Sequence, residues 1–523
     1  MTVSTFEEGR QTGALAAIAK ATADSSDPLR PAKWEIIGLV CLVIYYLILM
    51  ETLESDALDN ACLIGSSVFS TLLFASAWRM ASLDAKALWL GAFWLRLATA
   101  VYFGIGFMGS LFFTDDTQEE ARAFFWVQPD VQAKTNLVVT LAFLTFLAGT
   151  MFWVNVFKQE KFEKAGADDG DKLLWLCAIT FAGLGYFVKY FIVIPYNFGA
   201  FGNIVLPGAL VTLIYLAPVG LFLLTLWTLR HAPKYAFIGT ILVCTDVVVG
   251  VLQFAKGQVI LPLIVYILAV LQHKSNARRL VISASVVFIV FQTIVPMVSF
   301  GRSENQLRYG NIMQGNLSER IDIMESYFTE GAKQQADRSD FQGTLARISY
   351  GTIAGAAVKL YDSGQPGDSL SSIFYFFIPR SIWPDKPIFD AGSRFNEAIT
   401  GNAASFSWMG IFVEAYWNLG WIGIPTVMLP LSAIYVFLGR MALRVMSLGK
   451  WLQFPAVLLG MVMGFRADGE VISDQVASTL VCVIVLAFMT PLDRLVRAFI
   501  AKQRGARNAT SAQPGRPTLP MTR

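Results

Sequence analysis

Arg380, Asp385 and Lys386 lie with Trp383 in the segment 377–387, F-I-P-R-S-I-W-P-D-K-P, where three prolines stiffen the backbone and exclude helix over most of its length. A rigid loop that presents two cations and one carboxylate beside an aromatic ring suits a polar, anionic, ring-containing ligand. The competing reading is a stiff connector whose charges face water. Arg302, like Arg380, stands at a border between apolar and polar sequence, where a guanidinium reaches a phosphate at a membrane surface with two-point geometry. Arg308 and Arg394 are further cations of the same polar stretch and candidates for substrate contact. A second group runs from Trp408 to Gly420. Glu414 and Asn418 are four apart, on one helix face with Tyr416 close by, and a carboxylate in so apolar a run is costly unless paired or used. Lys256-Gly257 and Arg466-Ala-Asp468-Gly-Glu470 place more charge at turns between apolar segments. The chemistry these types allow is proton removal by Glu414 or Asp385 beside cations that hold an anionic leaving group.

The elements that must position these residues are membrane helices. Of 523 residues 55% are hydrophobic and only 15% charged, which defines an all-α, polytopic membrane protein with no large soluble core. Apolar windows fall near 35–50, 58–78, 88–113, 137–157, 173–195, 204–229, 236–254, 259–272, 280–300, 419–438, 454–466 and 471–490, so twelve spans are expected, those at 259 and 454 being short. Basic residues crowd one set of connections (Arg79 and Lys86, 158–172, Arg230 and Lys234, 274–279, 440–450, 494–507), whereas the other set holds Glu51, Glu54, Asp56 and an acidic run at 115–120. The positive-inside rule then places both termini in the cytoplasm and 301–407 outside.

The expected organisation is a cytoplasmic tail (1–34), nine spans (35–300), a large outer loop running to 418, three spans (419–491) and a basic tail (492–523). The first segment reads as a tail and not a cleaved leader, and the last as a disordered one. Within the loop, Leu317, Ile321, Met324 and Phe328 recur at helical spacing, and 341–362 reads as a second helix.

Other readings are set aside by context. Gly104-Ile-Gly106-Phe-Met-Gly109 mimics a dinucleotide fingerprint but lies inside a span, where helix packing explains it. Asp169-Gly-Asp171 sits in a loop too short for a nucleotide-sugar domain, and no P-loop is present. The five cysteines lie in apolar spans without metal spacing, so neither disulfides, a metal nor another cofactor is expected. A net charge of +3 gives no footprint for nucleic acid. Arg96, Lys189 and Asp246 are charges within spans, either functional or paired, Arg96 with Asp246 being one such pairing.

The run 378–387, followed by Glu414-Ala-Tyr416-Trp-Asn418-Leu-Gly420-Trp-Ile-Gly423, resembles the Wzy-type polymerases that join O-antigen and other oligosaccharide repeat units. The likeness is motif-level over about 301–423 and architectural elsewhere. Arg320 followed eleven residues later by Gly331 matches a spacing found in some of these enzymes, whereas Lys256-Gly257 departs from their usual Arg-Gly pair. The resemblance implies a membrane glycosyltransferase of GT-C-like architecture in a bacterial inner membrane. It would transfer a growing glycan from undecaprenyl pyrophosphate to a second lipid-linked unit, inverting and without metal, alongside a flippase and a chain-length regulator. In that reading Arg302, Arg380, Lys386, Lys256 and Arg466 hold the pyrophosphate. Trp383, Arg308, Arg394, Tyr416 and Asn418 contact the sugars, and Glu414 or Asp385 is the base. An O-antigen ligase is the nearest alternative, although the outer-loop histidine of known ligases is absent. A lipid-linked sugar transporter is the non-enzymatic one.

Overall fold

The computed structural model describes residues 27–108, 128–158, 167–201, 206–274, 277–309, 315–331, 348–376, 378, 382–383, 385, 391–401 and 407–511. All regular secondary structure among them is helical. The principal helices are α1 (Lys33–Thr52), α2 (Ser55–Leu83), α3 (Gly91–Thr99), α4 (Pro129–Val156), α5 (Ala167–Val188), α6 (Leu216–His231), α7 (Phe237–Leu252) and α8 (Lys256–His273). They are followed by α9 (Ala277–Tyr309), α10 (Leu317–Ser326), α11 (Tyr350–Asp362), α12 (Ala391–Thr400), α13 (Ile411–Leu448), α14 (Phe454–Arg466) and α15 (Ile472–Ser511). Wide π turns at Ala100–Ile105 and Lys189–Val193 carry α3 and α5 onward to Met108 and Asn197.

Eleven helical segments among the described residues are long and apolar enough to cross a bilayer, which makes the chain a multi-pass membrane protein by length and composition. Large apolar side chains such as Ile37, Phe191, Phe288 and Phe488 are exposed on its surface, as a lipid-facing bundle requires. The expected span at 454–466 is a helix of 13 residues. At about 20 Å it is shorter than a hydrocarbon core of roughly 30 Å. It is packed among its neighbours: Phe454 stacks on Phe222 at 4.4 Å and meets Trp89 at 4.9 Å, tying α14 to α6 and to the turn before α3. With 3-10 turns at Trp451–Gln453 and Ala467–Gly469 it still runs from the end where α13 stops to the end where α15 starts.

Close helix approach rests on small residues. A Cβ on Gly464 would strike the Gly91 carbonyl, and one on Gly220 the Ala182 backbone, so α14 meets α3 and α6 meets α5 at backbone distance. Gly104 packs on Ser70 and Gly106 on the Ile348 carbonyl, the packing role expected of that glycine run; Gly109 lies outside the described residues. α4 lies along α13 and also contacts α1, α2 and α11. In α13, Gly420 takes φ 62° and ψ −147°, a conformation open to glycine. The break separates a buried first segment bearing Glu414, Tyr416 and Asn418 from the membrane-length remainder.

The segment between α9 and α13 holds α10, α11, short turns at Ser369–Ser372 and Ile373–Phe376, and α12. The helix expected on the Leu317 repeat is present, but its face is corrected. Arg320, Ile323 and Met324 are buried, whereas Leu317, Ile321 and Phe328 are exposed. The expected helix 341–362 is described from Tyr350 to Asp362. All five cysteines are free.

Candidate functional site

The local turn that opens α8 explains how three cations meet. Phe254 has φ +52°, the single positive φ at a non-glycine position among the described residues, and such strain persists only where the surroundings hold it. Here α9 and α10 do so. Arg302 Nε donates to the Phe254 carbonyl at 2.7 Å, the ring fills the space over Gly301, and the Arg320 guanidinium lies 5.4 Å from its centroid. Phe198 takes another side of Arg320 at 5.3 Å, a cation–π arrangement that holds this buried guanidinium in place. The turn thus sets Lys256, the first residue of α8, beside Arg302 near the end of α9.

Lys256 and Arg302 line a cavity of about 280 Å³ together with Lys189 and Arg466. Ile214, Pro218, Leu261, Pro262, Val462 and Phe465 give it an apolar wall. Four cations against an apolar wall suit an anionic headgroup that carries a lipid chain. Ligand pockets commonly start at roughly 300 Å³, so this one is of a size to take a headgroup.

Lys189 is the cation that motif reasoning did not assign to the site, although a charge inside a span is the signal that marks it. It stands on the π turn after α5, a distortion common at functional sites. Its Nζ lies 2.6 Å from Asp246 Oδ1, and Asp246 also accepts from the hydroxyls of Tyr190 at 2.7 Å and Tyr186 at 3.1 Å. The expected pairing of Arg96 with Asp246 is therefore corrected. Arg96 instead donates to Ser76 at 2.7 Å and lies 3.9 Å from Glu35, because α3 faces α2 and α1 at the far end of the bundle.

Glu414 is completely buried. Its Oε1 accepts from the Ser369 hydroxyl and its Oε2 from the Ile472 amide, both at 2.7 Å. Asn418 donates to Ser369 Oγ at 2.8 Å and accepts from the Leu370 amide at 3.2 Å. This pair therefore fastens the 369–372 turn and the start of α15 to α13. Tyr416 is buried with its hydroxyl donating to Asp362 at 2.9 Å, and Asp362 also meets Lys134 at 2.6 Å. Arg308 pairs with Glu304 at 3.2 Å and Arg394 with Asp368 at 3.0 Å, both at exposed positions that do not line the cavity. Trp383 sits edge-on to Tyr375 at 5.7 Å, and Asp385 is exposed. Arg380 and Lys386 lie outside the described residues.

Two acids occupy the turn between α14 and α15. Asp468 is fully buried, with Oδ2 accepting a long 3.5 Å bond from Thr99 and Oδ1 without a partner among the described residues, and burial pushes its carboxyl up to about 8. Glu470 pairs with Arg466 at 2.9 Å; burial pushes its carboxyl up to about 7 against the pull of that guanidinium. No group of His, Cys, Asp and Glu among the described residues has the makings of a metal site. The histidines, His231 and His273, end α6 and α8, on the side of the bundle away from the cavity.

Comparison with protein-family models, curated proteins and solved structures gives no match.

Proposed function

We propose that this chain is a membrane glycosyltransferase that polymerises oligosaccharide repeat units carried on undecaprenyl pyrophosphate. The observation that carries the proposal is the convergence of Lys189, Lys256, Arg302 and Arg466 on one apolar-walled cavity. Departure of a pyrophosphate leaves negative charge on its bridging oxygen, and preorganised cations stabilise that charge most where little water screens them. The apolar wall takes the first units of the polyprenyl chain. The glycan extends away from the membrane. The tails lie in the cytoplasm and the cavity opens to the outer face of a bacterial inner membrane. There a flippase delivers the lipid-linked units and a chain-length regulator limits the product. Transfer by one displacement inverts the anomeric centre and needs a single carboxylate as base. Glu414 and Asn418 act by holding the scaffold under the sugar, since both Glu414 oxygens are already engaged by protein donors.

The test is polymer formation in cells whose own copy of the gene is deleted. Deletion should leave single repeat units on the lipid carrier. Lys256→Ala should reduce polymer at least tenfold at unchanged protein level, and Arg302→Lys should do the same because a point charge does not replace a two-pronged one. Normal polymer from the deleted strain, or from both stable variants, would sink the assignment. Impermeant labelling of a cysteine at Ser363 in preference to one at Ser447 would establish the orientation, and the reverse pattern would remove it.

A further inference from the structure

A second cavity of about 170 Å³ adjoins the first, with Tyr215, Val462 and Arg466 common to both. It adds Thr212, Ser478 and Glu470, and Glu470 is the one carboxylate among the residues lining either space. Glu470 is held from two sides. Its Oε1 lies 2.9 Å from Arg466 Nη1, and its Oε2 accepts from Gln475 Nε2 at 3.2 Å. Gln475 is fixed in turn, donating to the Met463 carbonyl at 3.2 Å and accepting from the Tyr435 hydroxyl at 3.0 Å. The carboxylate is thus aimed by a chain of bonds rooted in α14 and α13, an arrangement a solvent-facing surface acid does not need.

We propose that Glu470 is the base that accepts the proton of the attacking sugar hydroxyl, and that Arg466 bridges it to the departing diphosphate. The inference rests on the transfer reading above. The acceptor enters the second cavity with its hydroxyl against Glu470, near Ser478 and Thr212, while the donor's diphosphate occupies the first. The acceptor O–H bond breaks and its proton passes to Glu470. The freed oxygen bonds to the anomeric carbon of the donor sugar, the bond from that carbon to the diphosphate oxygen breaks, and its electron pair leaves with the diphosphate. Atoms and charge balance with the two lipid-linked sugars alone. Arg466 suits the bridging part because a guanidinium offers five N–H donors in one plane, enough to hold a carboxylate on one edge and a phosphate on another. Its side chain is half exposed, so it is free to turn between the two. The acid's buried setting also brings its proton affinity near neutrality, where a base works best.

The experiment measures two quantities on full-length protein in nanodiscs: affinity for inorganic pyrophosphate, and transfer with the lipid-linked units that accumulate in the deletion strain. Glu470→Gln should abolish transfer, by a factor of at least a hundred, while binding pyrophosphate as tightly as wild type or several-fold more tightly, because Arg466 no longer shares its donors. Glu470→Asp keeps the charge on a shorter stem and should retain a few per cent of the transfer rate, which covers the case in which the Gln variant folds poorly. Transfer at wild-type rate by Glu470→Gln overturns the proposal. So does a parallel loss of pyrophosphate affinity, which would make Glu470 a prop for Arg466. If wild-type protein does not bind pyrophosphate and Lys256→Ala transfers normally, the transfer reading itself fails and this inference with it. Intact binding with an active Glu470→Gln overturns the base assignment alone.

Discussion

At the end of the bundle where α1 begins, cations sit on carboxylates. Arg79 and Arg96 both face Glu35, at 3.5 and 3.9 Å, with Ser76 bonded between Arg96 and Glu35. Arg440 holds Asp27 through two bonds of 3.1 and 2.7 Å and also donates to the Phe157 carbonyl at 2.8 Å. At the opposite end the signs are partly separated. Lys256 and Arg302 line a cavity without a carboxylate in its wall, and of the three completely buried acids Asp246 pairs with Lys189 at 2.6 Å, whereas Glu414 and Asp468 have no ion pair among the described residues and bond to neutral donors. Burying a charge is costly wherever it is done. Pairing offsets that cost and uses up the field of the cation. Where no carboxylate lines the wall, the field of the cations falls on whatever anion the cavity admits, so the contrast sets one end apart as scaffold and the other as the candidate site.

The largest effect that would break the contrast lies at Asp468. Its carboxyl is raised from the ordinary 3.8 to about 8, so between those pH values the folded protein retains a proton that the unfolded chain releases. Stability associated with that proton is complete below the lower value and is lost as pH rises through the upper one. The slope for one such group is at most about 1.4 kcal/mol per pH unit. Asp468→Asn removes the titration. Its melting temperature should vary less than wild type from pH 5 to pH 8, and the variant should gain on wild type as pH rises. Equal slopes would mean that Asp468 is ionised and paired in the folded protein, and the two ends would then be alike.

At the scaffold end the expected effect is smaller and needs no pH change. Arg96→Ala leaves Glu35 with the partly exposed Arg79 as its one remaining cation among the described residues, and breaking a buried pair costs about 3–5 kcal/mol. Thermal unfolding in detergent should show a loss of that order for the single variant. The double variant Arg96→Met with Glu35→Gln should lose less, because no charge is left alone. A double variant as unstable as the sum of its singles would show that the two side chains do not act as a pair, and that the scaffold reading of this end is wrong.

Much of this arrangement is legible in the chain itself, and the gaps have physical causes. Helical spans follow from bilayer thickness, and cations at span borders, Lys256, Arg302 and Arg466 among them, stand out against apolar neighbours. What one dimension hides is partner choice. Asp246 meets Lys189 because α5 and α7 are neighbours, and helix order in space is not written in hydropathy. It also hides which way an apolar stripe faces. The rings of Phe198 and Phe254 give the Arg320 guanidinium a place inside, so the helix buries Arg320 and leaves Leu317, Ile321 and Phe328 exposed.

The smallest effects belong to the exposed cations that do not line the cavity. Arg394 meets Asp368 at 3.0 Å with half of its side chain in water, and Arg308 meets Glu304 one turn away on α9. Water screens both charges, and exposed pairs of this kind contribute about 0–1 kcal/mol. Neither residue lines the cation cavity, so neither adds to the field there beyond what about one Debye length, near 8 Å in physiological salt, allows. Arg394→Ala and Arg308→Ala should therefore unfold close to wild type and bind inorganic pyrophosphate within about twofold of it, whereas Lys256→Ala should bind at least tenfold more weakly. Isothermal titration of the three variants side by side decides the matter. An Arg394→Ala protein that loses as much affinity as Lys256→Ala would move the anion site out of the cavity and towards the loop between α11 and α13, where Asp368 would then be a competitor for the ligand instead of an ordinary surface partner.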